Sequence, residues 1–296
     1  MSKQLGLADL IRESIKDHMT VYMAGFSHLI PFAAGHEIIR QNLRHLTLCR
    51  ATPDLLYDQM IAAGVADRLV FSYAGNPGVG LLPAFRQAVE SGTLELDEYT
   101  HAEMICRLEA GAAGLPFWPL AAEDNDLSRL RGRPRVACPF TGQGIAVVPA
   151  LNPDVAVLHV QMADEEGNLY VWGLPGDIKE AALSARVIVA TAEQVRPADS
   201  LRHLRDYLLI PGFRVKRVAE VAFGSHPSYA TGLYERDTRL YQEWTRIAKT
   251  DAGRQAWLDE WVRELPSHAA YLAKLGEPYL DALKTPEGGL DRALSS

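Results

Sequence analysis

The chain has 296 residues, of which 48% are hydrophobic and 23% charged, with a formal net charge of −7. That composition suits a soluble globular protein with one large α/β domain, or one domain with an appendage. The acidic balance excludes nucleic acid as the main partner, since phosphate binding needs a basic stripe, and no stretch approaches the length of a membrane span.

The densest basic group, Arg129, Arg131, Arg133 and Arg135, is short and mixed with Gly and Pro, and reads as a solvated loop. Asp9, Arg12, Glu13 and Lys16 fall too early for a signal peptide. Three cysteines, Cys49, Cys106 and Cys138, are odd in number and far apart. They predict a reduced, cytoplasmic protein with buried thiols.

In chain order, Leu7, Leu10, Ile11 and Ile15 mark the apolar face of a first helix. The next stretch, TVYMAGFSHLIPFAAGHEIIRQ from Thr20 to Gln41, organises the rest. An apolar run from Val21 to Ala24 breaks at Gly25, and a helical pattern resumes at Pro31 and runs to about Leu43. Strand, tight polar turn and helix make a βα unit, whose turn lies where open α/β sheets bind ligands. Gly25 would let the backbone come close to a ligand. Leu46 to Arg50 follows as a strand, then a helix from Pro53 to Gly64, and a strand from Leu69 to Ser72. A helix from Pro83 to Glu90, a short strand from Leu94 to Leu96 and a helix from His101 to Ala113 come next. Val155 to Met162 and Leu169 to Trp172 form a hairpin about Asp164–Asn168, followed by a helix from Asp177 to Ala185 and a strand from Val187 to Ala190. The alternation predicts a largely parallel open sheet with helices on both faces. After about residue 230, Tyr241, Trp244, Trp257, Trp261, Tyr271 and Leu275 recur at helical spacing, the signature of a packed helical extension. The expected units are residues 1–230, an α/β domain; 231–284, the extension; and 285–296, a Gly- and charge-rich tail that frays.

Several motifs approach known chemistry and fail. Gly25-Phe26-Ser27-His28-Leu29 resembles a nucleophile elbow, but Leu29 stands where its second glycine is needed. His36-Glu37-Ile38-Ile39-Arg40 lacks the second histidine of a zinc-protease helix, and no P-C-x-x-C follows His101-Ala102-Glu103. No G-x-G-x-x-G follows a strand and no phosphate-binding G-x-x-x-x-G-K-[ST] occurs, so nucleotide chemistry has no support.

What remains is a set of polar strand-end loops: Gly25 to His28, Phe71 to Asn76, and Glu98 to Glu103. Around them, AGFSHLIPFAAGHEIIRQ, FSYAGNPGVG, DEYTHAEMICRLEAGAAGLPFWPL and VPALNPDVAVLHVQMADEEGNLYVWG run in order over roughly residues 5 to 230. In these segments the chain resembles the A (alpha) subunit of family I CoA-transferases, most closely the glutaconate CoA-transferase type. The resemblance implies a heteromer of two homologous α/β subunits with the active site between them. It implies a nucleophilic glutamate on the B subunit, in a Ser-Glu-Asn-Gly segment that this chain lacks. It also implies ping-pong transfer of CoA from an acyl-CoA to a carboxylic acid, with no metal or redox cofactor.

On that reading Gly25, Phe26, Ser27, His28, Ser72, Gly75 and Asn76 are the substrate-binding candidates of this chain. Ser27, Ser72 and Asn76 would hydrogen-bond the acyl group, and Gly25 and Gly75 would permit close approach; ordinary turn chemistry selects the same residue types. Glu98 and Glu103 are alternative pocket carboxylates, each competing with a plain role at a strand end or helix start. Relatives of this type also include ring-opening hydrolases and decarboxylases of acyl-CoA, and a non-catalytic CoA-ester-binding subunit is the third possibility.

Overall fold

A computed structural model describes residues 3–120 and 126–286. Helix α1 (Leu7–Ser14) leads into β1 (Thr20–Met23), α2 (Phe32–Arg40), β2 (Leu46–Cys49), α3 (Leu55–Ala62), β3 (Ala66–Phe71), α4 (Pro83–Glu90), β4 (Glu95–Glu98) and α5 (His101–Ala112). A peripheral segment follows, with β5 (Phe117–Pro119), α6 (Asp126–Arg131), β6 (Arg135–Ala137) and β7 (Gly144–Pro149). The chain then returns through β8 (Val155–Asp164), β9 (Leu169–Tyr170), α7 (Ile178–Ser184), β10 (Val187–Arg196), β11 (Leu208–Ile210) and β12 (Val215–Glu220). It closes with α8 (Thr238–Ile247), α9 (Asp251–Leu258), α10 (His268–Leu275) and α11 (Glu277–Leu283).

The predicted α/β fold, a largely parallel sheet flanked by helices, is the observed one. Strands β4, β3, β2, β1, β8, β10 and β12 lie side by side in parallel. Alternate residues of β1 go to opposite layers: Val21 and Met23 join one buried cluster, and Tyr22 joins the other with Ala24 just past the strand. The first cluster also takes Trp244, Trp257 and Val262, so the aromatic positions of the C-terminal helices are indeed packing positions.

The chain runs from β1 outward to β4, then crosses to β8 on the other side of β1, which makes the β1/β8 boundary a switch point. Strand β8 is ten residues long and β1 only four. Beyond the end of β1, Met162 and Ala163 of β8 pair with β9. That brings the segment between β9 and α7, Val171 to Asp177, over the end of β1.

Three expectations change. Phe117–Pro119, Gly144–Pro149 and Arg135–Ala137 build a separate antiparallel sheet, β5-β7-β6, that alternation alone did not suggest. The basic group around residue 133 is no simple solvated loop: the Arg133 side chain is 9% exposed and paired with Glu103. Of the three thiols, Cys49 is buried while Cys106 and Cys138 are half-exposed. The 285–296 tail lies almost wholly outside the described residues. No described helix is long and apolar enough to cross a membrane.

Candidate active site

Loops from β1, β2 and β3 meet at the carboxyl edge of the sheet. The loop after β1 is built on unusual backbone: Gly25 has φ of 114°, and Ser27 and Leu29 have φ of 57° and 53°. A Cβ on Gly25 would stand 2.7 Å from the His28 carbonyl oxygen and 2.8 Å from that of Leu29. The close approach that this glycine permits is that of its own loop. Phe26 points outward, 37% exposed, Ser27 is half-buried, and Ser228 Oγ donates to the Ser27 carbonyl at 2.8 Å.

His28 is fully buried. The Thr231 N–H donates to its Nε2 at 3.0 Å, so Nδ1 carries the proton and donates to the Leu174 carbonyl at 3.1 Å. Burial lowers its pKa to about 4, against the opposing bond from Leu174. The ring is a neutral strut between three loops, with no nitrogen left to activate Ser27.

The loop after β3 is anchored on the loop after β2. Ser72 Oγ donates to the Ala51 carbonyl at 2.5 Å, and the N–H groups of Ser72 and Tyr73 reach the same oxygen at 3.1 Å. Gly75 N–H bonds the Pro53 carbonyl at 3.0 Å, and a Cβ on Gly75 would strike the Tyr73 hydroxyl at 2.6 Å. Asn76 is 2% exposed, and both of its side-chain amide atoms lack a partner among the described residues. Ser72, Tyr73 and Glu98 share a cavity of about 340 Å³ with Phe85 and Arg86.

Glu103 is differently placed. It closes a capping box with Thr100, at 2.7 Å from the Thr100 N–H and with its own N–H 3.2 Å from Thr100 Oγ1. Ser128 Oγ donates to it at 3.0 Å, and Arg133 makes a two-pronged pair at 2.8 and 3.1 Å. Burial opposes its charge, yet the bonds from Arg133, Thr100 and Ser128 prevail and hold its carboxyl below the ordinary value.

A second cavity, of about 220 Å³, opens at the switch point itself and is lined by Phe26, Thr52, His101, Leu174, Gly176 and Asp177 among others. It joins two of the expected loops with residues that sequence reasoning passed over. Tyr22 donates to Asp177 Oδ2 and accepts from the Ala51 N–H at 3.1 Å. Arg50, 1% exposed, bonds Asp54 at 3.2 Å beneath. Burial pushes the Asp177 carboxyl up, with the Tyr22 hydroxyl and the Arg50 charge pulling the other way. Thr52 and Asp177 read locally as a turn and a helix start, so their only sequence signal is their place after apolar runs.

Among the described residues no His, Cys, Asp and Glu cluster could hold a metal ion. The edge therefore offers backbone amides, hydroxyls, one buried amide and buried carboxylates around two modest cavities, with no activated nucleophile at this edge among the described residues.

Comparison with known proteins places this edge in context. The coenzyme A transferase family matches residues 5–221. Over 94% of this chain and 99% of its relative, the sequence is 44% identical to the A subunit of 3-oxoadipate CoA-transferase from Pseudomonas knackmussii. The crystal structure of glutaconate coenzyme A-transferase from Acidaminococcus fermentans superposes with a TM-score of 0.92 at 28% identity, covering 97% of each chain. The decarboxylase AibA/AibB, solved as a cysteine-to-serine variant, is also similar, at a TM-score of 0.77 and 30% identity over 88% of this chain and 100% of its own. The chain belongs to the coenzyme A transferase family.

Proposed function

We propose that this chain is the A subunit of a heteromeric acyl-CoA:carboxylate CoA-transferase, active only with a homologous B subunit. One observation carries the reading: similarity over 94% of the chain to the A subunit of a CoA-transferase, in a chain whose described site edge holds no activated nucleophile. The nucleophile is then a glutamate of the partner. Its carboxylate attacks the acyl-CoA carbonyl, giving a mixed anhydride and CoA thiolate; the thiolate attacks the glutamyl carbonyl and releases the first acid. The acceptor carboxylate runs the same two steps in reverse. The exchange is nearly thermoneutral, so it calls for orientation and an oxyanion site rather than an energy source. This chain contributes the wall of the pocket through the loops at Gly25 to His28 and Ser72 to Asn76, with coenzyme A entering as acyl-CoA substrate. Its relative at 44% identity makes 3-oxoadipate the first acceptor to test.

The test is reconstitution. CoA transfer should be absent for the purified chain and appear on co-expression with its B subunit. Incubation with acyl-CoA followed by hydroxylamine should modify one carboxylate, on the partner. Transfer by this chain alone, or an adduct on Glu98, Glu103 or Ser27, would overturn the assignment. A complex that only hydrolyses or decarboxylates the acyl-CoA would move the chain to that branch of the family.

A further inference from the structure

Six described residues other than glycine hold a left-handed backbone, and three of them meet in one place. Ser27 and Leu29, with φ of 57° and 53°, belong to the loop after β1, and Phe223, with φ of 51°, opens the loop that follows β12. Such conformations cost energy in residues with a side chain, and they persist only where neighbours hold them from several directions. Here each is held by a hydrogen bond. Ser228 Oγ donates to the Ser27 carbonyl at 2.8 Å, the Leu29 N–H reaches the Tyr229 carbonyl at 3.0 Å, and the Phe223 N–H reaches Glu193 Oε2 at 2.7 Å. The Thr231 N–H on His28 Nε2, at 3.0 Å, and the Ala33 N–H on the Gly224 carbonyl, at 2.9 Å, add to the same contact between the two loops.

The second loop is itself fixed from beneath. Glu193, 8% exposed in β10, accepts from the Gly224 N–H at 3.1 Å and from the Tyr234 hydroxyl at 2.5 Å, and it meets His159 of β8 at 2.7 Å. The Tyr234 hydroxyl in turn accepts from the Ser225 N–H at 3.1 Å. Ser225, His226 and Ser228 have no exposed surface, so the loop is continuous with the sheet rather than a cover over it. Simple packing would hold the loop after β1 with an unstrained backbone. Strain that is pinned on both sides points to a backbone whose direction matters, and Ser27 and His28 stand on the proposed pocket wall. Resting on the transferase reading above, we infer that Ser228 is a positioning residue. Through the Ser27 carbonyl it fixes the left-handed turn that aims the Gly25 to His28 wall at the reacting acyl group, while Glu193 and Tyr234 hold the loop of Ser228 in place. Ser228 acts only through Ser27, so its loss slows the reaction step rather than weakening binding.

The experiment uses the complex with its B subunit. Ser228→Ala is the direct test, Tyr234→Phe acts one bond further back, and Ser184→Ala is the contrast. Ser184 is likewise a buried serine, 3% exposed, whose Oγ donates to the Ala181 carbonyl at 3.0 Å within α7. Each folded complex gives two readouts: kcat and KM for the acyl-CoA, and amide hydrogen exchange over Gly25 to Ile30. Ser228→Ala should lower kcat about tenfold, the loss of one hydrogen bond, change KM by less than about twofold, and speed that exchange about tenfold. Tyr234→Phe should do the same by a smaller factor, and Ser184→Ala should leave both readouts at the wild-type level. An unchanged kcat in Ser228→Ala, a loss confined to KM, or an equal fall of kcat in Ser184→Ala would overturn the inference while the transferase reading stands. If Ser228→Ala does not assemble, Tyr234→Phe decides, and wild-type kcat and exchange in that variant overturn the inference. If the wild-type complex transfers no CoA, the wider reading fails, and the inference is judged by exchange alone: an unchanged rate over Gly25 to Ile30 in Ser228→Ala would sink it.

Discussion

Two buried carboxylates flank helix-start positions near the same sheet edge, and their surroundings differ in one respect. Glu103 is saturated: the Thr100 N–H, the Ser128 hydroxyl and both prongs of Arg133 occupy its oxygens. Asp177 is half spent, with one oxygen taken by Tyr22 and the other unpaired, among the described residues, beside a cavity. Both are acids at the start of a helix, yet one is held ionised and the other is pushed towards its neutral form. Saturation marks a group that fixes the fold, and an unpaired buried oxygen marks one whose burial is only partly compensated.

The hardest way to break the comparison is through the saturated side. Arg133→Ala would strand Glu103, 2% exposed, without its main counter-charge. The expected loss of stability is about 3–5 kcal/mol, read from denaturant unfolding, with α6 and the β5-β7-β6 sheet loosening first. A loss below about 1 kcal/mol would mean that the pair is not a fixed part of the fold.

Gly25→Val attacks the other side through backbone rather than charge. The residue sits at φ of 114° with carbonyl oxygens 2.7 and 2.8 Å from any Cβ. A cost of about 1–3 kcal/mol is expected from the strained backbone alone, with loss of transferase activity as the loop shifts. Activity of the purified complex at the wild-type level would show that the loop is remote from the reaction.

Ser72→Ala and Asn76→Ala are smaller changes. Each should lower kcat/KM several-fold, in line with about 0.5–1.5 kcal/mol for one hydrogen bond. Asn168→Ala serves as the contrast, since Asn168 bonds Asp164 at 2.7 Å and accepts from the Gly212 N–H at 2.6 Å in the distant hairpin. Its loss should fall on stability. If Asn168→Ala lowers kcat/KM as much as the two edge variants, the edge loops are scaffold only.

The parallel sheet and its helices were legible because apolar runs and helical spacings alternate strictly from Thr20 to Glu103. Loops rich in Gly, Ser and Asn after β1 and β3 were legible for the same reason. The buried Tyr22–Asp177 pair was not. Tyr22 and Asp177 are 155 positions apart, and what makes Asp177 distinctive is the oxygen that Tyr22 leaves unused. Nothing local to Gly-Asp-Ile encodes that. Glu103 misled in the opposite way: it stands in a polar strand-end loop, but its partner Arg133 comes from a segment that reads as solvated. The β5-β7-β6 sheet escaped because two of its strands are three residues long and pair across a gap that periodicity does not bridge.

The gentlest prediction sharpens the contrast through pH. Glu103 has a folded-state pKa below its ordinary 4.5, so in acid the unfolded chain binds more protons. The stability that Glu103 contributes is present above 4.5 and is lost as pH falls through the folded value. Asp177 is raised above its ordinary 3.8, so the native chain binds more protons there, and stability falls as pH climbs through that interval. Asp177→Asn keeps an acceptor for Tyr22 and removes the titration. It should change stability by less than about 1 kcal/mol at pH 4 and gain on wild type as pH rises towards neutral. Glu103→Gln should do the reverse, losing on wild type as pH rises to 4.5. The measurement is urea unfolding of the three chains across that range. If both variants shift with pH in the same direction, saturation of the carboxylate does not separate the two sites, and the distinction between a fully paired acid and a half-paired one fails.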